Sequence, residues 1–437
     1  MAATPWCHPS RGFSFRSSTE LSSGATRIVT TSSVIYRSDV RQTLPFHLVG
    51  VSHHTASVEE RERFAFTASE TAALLDDLKA AGLPGLLLST CNRCELYWYG
   101  AGDGETWFRA LARGRTPGPE LTVEHGLAAV RHLFKVSAGL DSQILGETEI
   151  LGQVRRAYDA ARAAGTTTHE MDLIFSAALA GGRRVRRETL LGRHPHSVSS
   201  AAVDLAYQLR GREVGKVVVL GAGEAAEGVL RALHQRGGTE VSLLNRHCEK
   251  AAVLAAAWGA KARPWEELDG YLAAADLVLV ATASARPVVP ASQLAQAAQR
   301  RQQQKLLVID LAVPRNVEPS ARKIEGVELL DLDDLQQQCC PAAGTASAEL
   351  VEAEDILEEE LVRLGLTLRG RVAAPRLAEL HALSQKMAEQ ESAWALAQLQ
   401  TLSDSQREVV RQMADRLVRR VLYPVSRSIR EEIDIDL

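Results

Sequence analysis

The sequence predicts a multidomain α/β protein with three folded regions of different architecture. A chain of 437 residues is too long for one hydrophobic core, so two or three domains are expected. Strand and helix patterns alternate between residues 201 and 340, which is typical of a parallel sheet covered by helices. Residues 345–437 carry no strand pattern. We therefore predict an α+β domain at residues 46–200, a parallel-sheet domain at 201–340 and a helical domain at 345–437.

Composition limits the classes of function. Hydrophobic residues make up 46% of the chain and charged residues 24%, as in ordinary globular proteins. No apolar run approaches the roughly 18 residues that a membrane span requires. The formal net charge of −4 argues against general nucleic-acid binding, but a local basic face could still contact one RNA. Six unevenly spaced cysteines indicate a reducing compartment, and we predict the cytoplasm.

Residues 1–45 differ from the rest of the chain. They are rich in Ser, Thr and Arg, their only acids are Glu20 and Asp39, and no strand or helix period is sustained. We predict a disordered extension. The same composition is typical of a transit peptide, which would place the protein in the plastid stroma. A mis-assigned start codon or a dispensable tail is the interpretation that we favour.

A cysteine follows an apolar strand of the α+β domain. The run L-L-L at residues 86–88 predicts a buried strand, and S-T-C-N-R-C-E-L-Y follows at residues 89–97. A nearby cation lowers the pKa of a thiol, so Arg93 would favour the reactive thiolate of Cys91. Arg93 would also suit a substrate carboxylate, which it can bind through two hydrogen bonds. The pattern therefore indicates a nucleophile beside a carboxylate-binding cation.

Other interpretations of Cys91 stay open on the residues alone. A cysteine after an apolar strand is commonly a small core residue. The spacing Cys91-x-x-Cys94 also occurs in redox pairs and in one half of a zinc site. No second pair of that spacing is supplied by the remaining cysteines, which are Cys7, Cys248, Cys339 and Cys340. We therefore predict no metal.

Polar residues recur through an otherwise apolar segment at residues 138–155. Burying such groups without partners costs roughly a few kcal/mol each, and a polar substrate is one such partner. His132 lies ten residues before Ser142 on a predicted helix and, judged alone, would be a satisfied core histidine. A basic run at residues 183–187 faces either nucleic-acid phosphates or solvent.

A glycine turn in the context of a dinucleotide site opens the second domain. A buried strand is predicted at residues 216–220, G-A-G-E-A-A follows at 221–226, and a helix pattern comes next. Such glycines let the backbone approach a pyrophosphate at the helix N-terminus, so we expect a Rossmann-like domain. The predicted cofactor residues are Gly221, Ala222, Gly223, Glu224, Ala225, Ala226, Asn245 and Arg246. Because Arg246 rather than an acid follows the second strand, NADPH is favoured over NADH.

Together these motifs resemble those of the glutamyl-tRNA reductase family. The family patterns S-T-C-N-R-x-E-[LI]-Y, GLDS-x-x-LGE-x-QILGQV and D-[IL]-A-V-P-R-x-V match residues 89–97, 139–154 and 310–317. G-x-x-H-x-T-A-P-V-x-x-R-E matches residues 50–62, with Ser57 in place of proline. The resemblance implies that NADPH reduces the glutamyl group of Glu-tRNA(Glu) to glutamate-1-semialdehyde, the first step of porphyrin (5-aminolevulinate) biosynthesis.

The resemblance also implies the roles of individual residues. Cys91 is the thiolate that forms a thioester, and His132 assists proton transfer. The glutamyl group is held by Thr90, Asn92, Arg93, Ser142, Glu147, Thr148, Glu149 and Gln153. Glu149 stands where the family usually has Gln, and an acid there would repel a substrate carboxylate unless it were protonated or paired.

The resemblance further implies a homodimer through the C-terminal helices, whose apolar stripes need a partner surface. Glutamate-1-semialdehyde aminomutase is a candidate partner. One alternative is a shikimate-dehydrogenase-like NADP oxidoreductase, which would need neither Cys91 nor the helical tail. Another is a non-catalytic tRNA-binding or scaffold protein with a relic nucleotide domain, which would have no use for Cys91, Arg93, His132 and Ser142 together.

Overall fold

The structure is a computed structural model, and it describes residues 44–111, 120–192, 197–211, 214–237, 239–301, 305–339, 346–399 and 401–432. The predicted disordered extension at residues 1–45 lies outside this range except for Leu44 and Pro45. Leu44 is buried, and the Pro45 carbonyl accepts a hydrogen bond from the Gly100 N–H at 2.8 Å. The folded part of the chain therefore includes these two residues.

The described residues form the strands and helices that the fold class predicts. The strands are β1 Phe46–Ser52, β2 Gly85–Ser89, β3 Arg93–Tyr99, β4 Thr122–His125, β5 Lys216–Leu220, β6 Glu240–Leu244, β7 Lys261–Arg263, β8 Leu277–Val280, β9 Leu306–Asp310 and β10 Val327–Leu330. The helices are α1 Val58–Arg61, α2 Ala68–Ala80, α3 Gly104–Leu111, α4 Leu127–Ala138, α5 Glu149–Ala164, α6 His169–Glu188, α7 Val198–Arg210, α8 Glu224–Arg236, α9 Cys248–Trp258, α10 Leu268–Ala274, α11 Ala291–Gln299, α12 Leu332–Cys339, α13 Ala346–Gln398 and α14 Asp404–Glu432. The sequence did not predict β4 and β7, because both are short, polar edge strands.

Strands β1–β4 and helices α1–α6 form what we call the antiparallel domain. Its sheet has the order β2-β3-β1-β4, with each neighbouring pair antiparallel. Side chains alternate between the two faces of a strand. Tyr97 of β3 packs edge-on against Phe175 of α6, whereas Trp98 on the other face lies against Gly104 of α3. Helices therefore cover both faces of β3, which is why the strand is almost wholly buried.

Strands β5–β10 and helices α7–α12 form the parallel domain. The strand order is β10-β9-β8-β5-β6-β7, all parallel, which is the arrangement of a doubly wound dinucleotide fold. Separate hydrophobic clusters lie on the two faces of this sheet. Strands buried on both faces need continuous apolar runs, as in V-V-V-L at residues 217–220. The strand order reverses between β5 and β8, where such folds bind their ligands.

The C-terminal region is helical, with the predicted break near residues 402–404 between α13 and α14. The first half of α13 packs on α6, and its Leu357, Leu361 and Leu364 join the core of the antiparallel domain. Farther along, Gln385 of α13 donates a hydrogen bond to Asp415 of α14 at 3.3 Å. This antiparallel pair, from about residue 376 to residue 432, is called the helical arm. In the part of the chain that the structure describes, no helix is long and apolar enough to cross a membrane.

Candidate functional site

Cys91 lies in the tight turn between β2 and β3. The Thr90 hydroxyl accepts hydrogen bonds from the backbone N–H groups of Asn92 and Arg93, each at 3.2 Å. The Thr90 N–H donates to the Arg93 carbonyl at 2.8 Å. These bonds fix the turn, and the partly exposed Cys91 packs against the hydrophobic core of the parallel domain. The thiol is therefore located where the antiparallel and parallel domains meet.

The thiol of Cys91 is not activated by Arg93 in this structure. Burial, followed by the carboxylates of Glu147 and Glu149, raises the pKa of Cys91 to about 12, against a smaller opposing effect of Arg61. The pKa of Cys91 is therefore raised, whereas the sequence predicted that a nearby cation would lower it. Forming the thiolate requires a base nearby or a loss of negative charge around the sulfur.

Arg93 is the centre of a buried ionic network. Its Nη1 donates to Glu95 Oε1 and to Asp141 Oδ2, both at 2.8 Å, and its side chain is 1% exposed. Glu95 also accepts a hydrogen bond from the Tyr97 hydroxyl at 2.7 Å and lies 2.8 Å from Nε2 of His132. The predicted carboxylate ligand Arg93 and the predicted catalytic residue His132 are thus joined through one carboxylate.

The acids of this network stay ionised because their partners outweigh burial. Burial opposes ionisation, but Arg93 and then His132 lower the pKa of Glu95 to about 2. Burial would likewise raise the pKa of Asp141, but His54 and Arg93 outweigh it and hold that pKa well below its usual range. Sequence analysis did not single out Glu95 or Asp141. The available signal was that Glu95 and Asp141 lie within the quoted motifs, but sequence spacing cannot show that they share Arg93.

Two glycines with positive φ shape the segment between α4 and α5. Gly139 ends α4 with φ +76°, and Gly146 has φ +75°. Residues other than glycine rarely adopt this backbone conformation without strain. A Cβ on Gly139 would also lie 3.1 Å from the carbonyl oxygen of Glu147, so the two ends of the segment pass close to each other. The segment brings Asp141 into contact with Arg93 beside the β2–β3 turn.

Ser142 and Glu147 form a buried polar pair in this segment. The Ser142 hydroxyl lies close enough to the Glu147 carboxyl to favour its ionised form, but its buried Oγ makes no hydrogen bond of standard geometry among the described residues. Glu147 is 5% exposed, and burial followed by the charge of Glu149 raises its pKa to about 7, against the opposing effects of Ser142, Arg93 and Arg186. Because native proteins seldom leave such groups unpaired, this pair has the character of a polar ligand site.

Thr148, Glu149 and Gln153 lie at the start of α5. Burial, and then the charge of Glu224, raises the pKa of Glu149. A Cβ on Gly228 would lie 3.4 Å from Glu149 Oε1, so Glu149 reaches α8 of the parallel domain. Gln153, one turn later, lines a groove of about 630 Å³ between α2 and α5 whose floor is β2. The predicted pocket residues on α5 therefore divide between the domain junction and this groove.

The glycine turn at residues 221–226 leaves room for a phosphate. Gly221 has φ +114°, and a Cβ there would lie 2.2 Å from the Ala281 carbonyl oxygen, so only glycine fits. Gly223 is the N-cap of α8, it is exposed, and no heavy atom lies within 4 Å of a Cβ built on it. Ala226 is buried, so it serves the packing of α8 on the sheet. The backbone can thus approach a pyrophosphate at the α8 N-terminus.

The other predicted cofactor residues follow the same edge of the sheet. Ala222 and Ala225 are half-buried and Glu224 is exposed. Asn245 directly follows β6, and its Nδ2 donates to the His247 carbonyl at 3.2 Å. Arg246 is exposed beside it. Both residues therefore lie at the carboxyl end of the second strand of the parallel sheet, where the ribose of a dinucleotide is bound in this fold.

Ion pairs join the two domains around the thiol. Arg61, 3% exposed, binds Asp333 at 3.0 Å, and Arg315 binds Glu62 at 2.8 Å. A cleft of about 850 Å³ lies beside them, between residues 62–70 and the loop around Val313. None of these pairings has a signal in the sequence, because the partners lie more than 200 residues apart.

The predicted basic run at residues 183–187 does not form one surface. Arg184 binds Glu359 at 3.0 Å and Glu360 at 2.8 Å on α13, and Arg186 donates to the Glu147 carbonyl at 3.1 Å. Arg183 and Arg187 are exposed. Arg184 and Arg186 therefore bind other parts of the protein rather than facing nucleic-acid phosphates or bulk solvent.

Comparisons with known proteins show the family of the chain. Residues 49–189 match the model of the glutamyl-tRNA(Glu) reductase N-terminal domain, and residues 352–434 match that of the dimerisation domain of the same enzyme. The glutamyl-tRNA reductase of Desulfitobacterium hafniense is 36% identical over 88% of this chain and 89% of its own length. The chain belongs to the glutamyl-tRNA reductase family. The glutamyl-tRNA reductase of Deinococcus radiodurans is 41% identical over 77% of this chain and 97% of its own length.

A solved glutamyl-tRNA reductase, from Methanopyrus kandleri, is 33% identical, with 89% of this chain and 98% of that chain covered and a TM-score of 0.43. The middle region, residues 204–338, matches the shikimate / quinate 5-dehydrogenase model, so the nicotinamide-dinucleotide fold is shared with those enzymes.

The predicted function, reduction of the glutamyl group on tRNA, is thus confirmed. The alternative, a shikimate-dehydrogenase-like activity, is not supported, because the resemblance to shikimate dehydrogenases is confined to the middle region of the chain. Among the described residues, no group of three or more His, Cys, Asp or Glu side chains is arranged to hold a metal ion.

Proposed function

We propose that this reductase forms a covalent glutamyl thioester on Cys91. The Sγ atom attacks the ester carbonyl carbon of Glu-tRNA(Glu), the bond from that carbon to the ribose oxygen breaks, and the tRNA leaves with a proton. When bound, the reduced nicotinamide supplies the hydride that converts the thioester to glutamate-1-semialdehyde. The sulfur of Cys91 is released and takes up a proton.

One observation carries this proposal: the side chain of Cys91 packs against the core of the parallel domain. A nucleophile whose acyl group must accept a hydride has to face the domain that binds the hydride donor. Cys94 is the internal comparison, because it is 3% exposed and belongs to the core of the antiparallel domain. The contrast supports Cys91 as the nucleophile and Cys94 as a core residue.

His132 is the proposed proton carrier. The ionised carboxylate of Glu95 can only accept hydrogen bonds, so in neutral His132 the proton resides on Nε2, 2.8 Å from Glu95. Nδ1 then keeps a lone pair that can take a proton from the thiol and pass it to the departing tRNA oxygen. Because the pKa of Cys91 is high, its deprotonation requires a base, and His132 is the proposed base.

Arg93 is the proposed ligand of the side-chain carboxylate of the glutamyl group. Of its two partners, Asp141 is 23% exposed and Glu95 only 3%, so the substrate carboxylate replaces Asp141 while Glu95 stays bound. The polar groups proposed to surround the rest of the glutamyl moiety are Thr90, Asn92, Ser142, Glu147, Thr148, Glu149 and Gln153. Burial raises the pKa of Glu147 to about 7, so near neutrality its carboxyl can take up a proton and donate a hydrogen bond.

NADPH is the proposed form of the cofactor. The turn at residues 221–226 suits the pyrophosphate, and the exposed guanidinium of Arg246 at the end of β6 suits a 2′-phosphate. An acid that would bind the ribose 2′-hydroxyl of NADH is absent from residues 245–247.

A homodimer through the helical arm is the proposed assembly, because the matched dimerisation domain spans residues 352–434 and exposed apolar residues line α14. The cytoplasm, where charged tRNA and a reduced thiol coexist, is the proposed compartment. Transfer of the aldehyde to glutamate-1-semialdehyde aminomutase stays a prediction.

Trapping the acyl enzyme tests the mechanism. With Glu-tRNA(Glu) and no NADPH, the wild-type protein should acquire a glutamyl group on the peptide that contains Cys91, detected by mass spectrometry. Cys91→Ser should abolish both the adduct and the reduction, because a hydroxyl without an activating base is a far poorer nucleophile. Adding NADPH to the isolated acyl enzyme should release the semialdehyde.

Cys94→Ser is the matched control, because it alters the neighbouring thiol in the same hairpin. It should keep both the adduct and the reduction. A folded Cys94→Ser protein that is as inactive as Cys91→Ser would favour a redox pair and refute the proposed first step. A wild-type protein that binds the charged tRNA but never acquires the glutamyl group would favour a non-catalytic tRNA-binding role.

A further inference from the structure

The N-terminus of α8 carries more negative charge than a dinucleotide site favours. Glu224 is the first residue of the helix and is 64% exposed, and Glu227 lies in the same turn. The carboxylate of Glu149 reaches α8 near Gly228. A helix N-terminus attracts phosphate through its free N–H groups and its dipole, whereas carboxylates beside it repel phosphate. The site therefore needs a positive charge to offset these acids.

An arginine from the antiparallel domain supplies that charge. Arg156 lies on α5, two turns after Glu149, and its Nη2 donates to Glu224 Oε2 at 2.7 Å. Gly223, the neighbour of Glu224, has open space where a side chain would be, so this ion pair adjoins the space for the pyrophosphate. Within α8 itself, Arg231 binds Glu227 at 3.3 Å. The charge of Glu224 is thus offset from outside the parallel domain.

We infer that Arg156 is a cofactor-positioning residue that the antiparallel domain contributes to the dinucleotide site. By neutralising Glu224 it lets a pyrophosphate approach the glycine turn. An exposed ion pair contributes little to folding stability. Its effect is therefore on the affinity for the anionic cofactor. The inference rests on the proposed cofactor site at residues 221–226.

The chain offers a matched control on the same helix. Arg155 is 58% exposed and binds Asp159 of α5 at 2.8 Å, and Arg156 is 56% exposed and binds Glu224 of α8 at 2.7 Å. The two arginines differ chiefly in whether the partner belongs to the cofactor helix. Binding of NADPH to the full-length protein without tRNA can be followed by the fluorescence of the nicotinamide, which does not depend on catalysis.

Arg156→Ala should raise the Kd for NADPH by about two- to tenfold at low salt, and about 0.5 M salt should shrink the difference. Arg155→Ala should bind like the wild type, with both variants unfolding at the wild-type temperature. Adding Glu224→Gln to Arg156→Ala should restore the affinity, because the uncompensated carboxylate is then gone.

Three outcomes would overturn the inference, and they are distinguishable. If wild-type protein binds NADPH and Arg156→Ala binds it equally well, Arg156 has no role at this site. If the double variant stays as weak as Arg156→Ala, neutralisation of Glu224 is refuted. If the wild-type protein itself does not bind NADPH, the proposed cofactor site fails and the inference fails with it.

Discussion

His132 on α4 and Glu95 on β3 are 2.8 Å apart, Nε2 to Oε1, inside the antiparallel domain. The side chain of Glu95 is 3% exposed and also binds Arg93 at 2.8 Å and the Tyr97 hydroxyl at 2.7 Å. One carboxylate therefore fixes the orientation of the proposed proton carrier and of the proposed carboxylate ligand. A buried acid of this kind is retained because its partners compensate for its lost hydration.

Glu95→Gln should damage both stability and catalysis. The amide keeps the shape but removes the charge that compensates Arg93, which costs about 3 kcal/mol of folding free energy for a buried pair. It also presents an N–H donor to His132, so the imidazole loses its fixed tautomer and kcat should fall about a hundredfold or more. Thermal unfolding and single-turnover reduction of Glu-tRNA(Glu) measure the two effects.

Glu105→Gln is the control, because Glu105 is a partly exposed acid that binds Arg109 one turn away on α3. It should leave the melting temperature and kcat unchanged. A Glu95→Gln protein that melts like the wild type would show that Asp141 alone compensates Arg93.

Much of this architecture could be predicted from sequence, because it is determined by local patterns. The apolar runs of β5, β6, β8, β9 and β10 and the glycine turn at residues 221–226 indicate a parallel dinucleotide domain without reference to distant residues. The hairpin that carries Cys91 follows from a strand ending in S-T-C-N. Arg93 was expected near the thiol because it lies two residues away, whereas Ser142 was placed in the glutamyl pocket only by the family resemblance.

What could not be predicted depends on contacts between distant segments. The pKa of Cys91 was expected to be low because Arg93 is two residues away, but burial and then the carboxylates of Glu147 and Glu149 raise it, while Arg93 is bound by Glu95 and Asp141. The α13 helix was expected to serve dimerisation, yet its first half belongs to the core of the antiparallel domain. Sequence spacing contains no information on which charges become neighbours after folding.

Glu147 should make folding stability depend on pH. Its pKa is about 7 in the folded protein against 4.5 for the unperturbed side chain. Below about pH 4.5 this carboxyl group is protonated in both the folded and the unfolded protein, and its contribution to stability is fully present. As pH rises through 7 that contribution is lost, because ionisation is easier in the unfolded chain. A shift of this size corresponds to about 3 kcal/mol between the two limits.

Glu147→Gln removes this titration, so the variant should gain stability relative to the wild type between pH 5 and pH 8, in a range set by the pKa of about 7. Urea unfolding at a series of pH values measures the difference, and effects of other groups cancel because both proteins contain them. A difference that is constant across this range would mean that Glu147 is ionised throughout.

Arg246→Ala should weaken binding of NADPH far more than binding of NADH. Losing a charged hydrogen bond to phosphate costs roughly 1.5–3 kcal/mol, which is about ten- to a hundredfold in affinity. The Michaelis constants for the two cofactors measure the selectivity. Lys250→Ala, which removes another exposed cation in the helix that follows, is the control and should change neither constant. Equal loss for both cofactors would assign Arg246 a role other than binding the 2′-phosphate.

The helical arm should hold the dimer through the apolar stripe of α14. Val409, Met413, Leu417 and Val421 recur at helical spacing and are each 55–63% exposed in the single chain. Point substitutions are the appropriate test, since removing α13 would strip Leu357 and Leu361 from the core of the antiparallel domain.

Leu417→Glu would bury an unpaired charge in the dimer interface, which costs roughly 2–5 kcal/mol, so sedimentation should show a monomer at concentrations where the wild type is a dimer. Val253→Glu is the control, because Val253 is 75% exposed on α9 of the parallel domain, outside the matched dimerisation domain. It should sediment like the wild type. A Leu417→Glu protein that remains a dimer, while retaining its fold by circular dichroism, would locate the interface on another face of the arm.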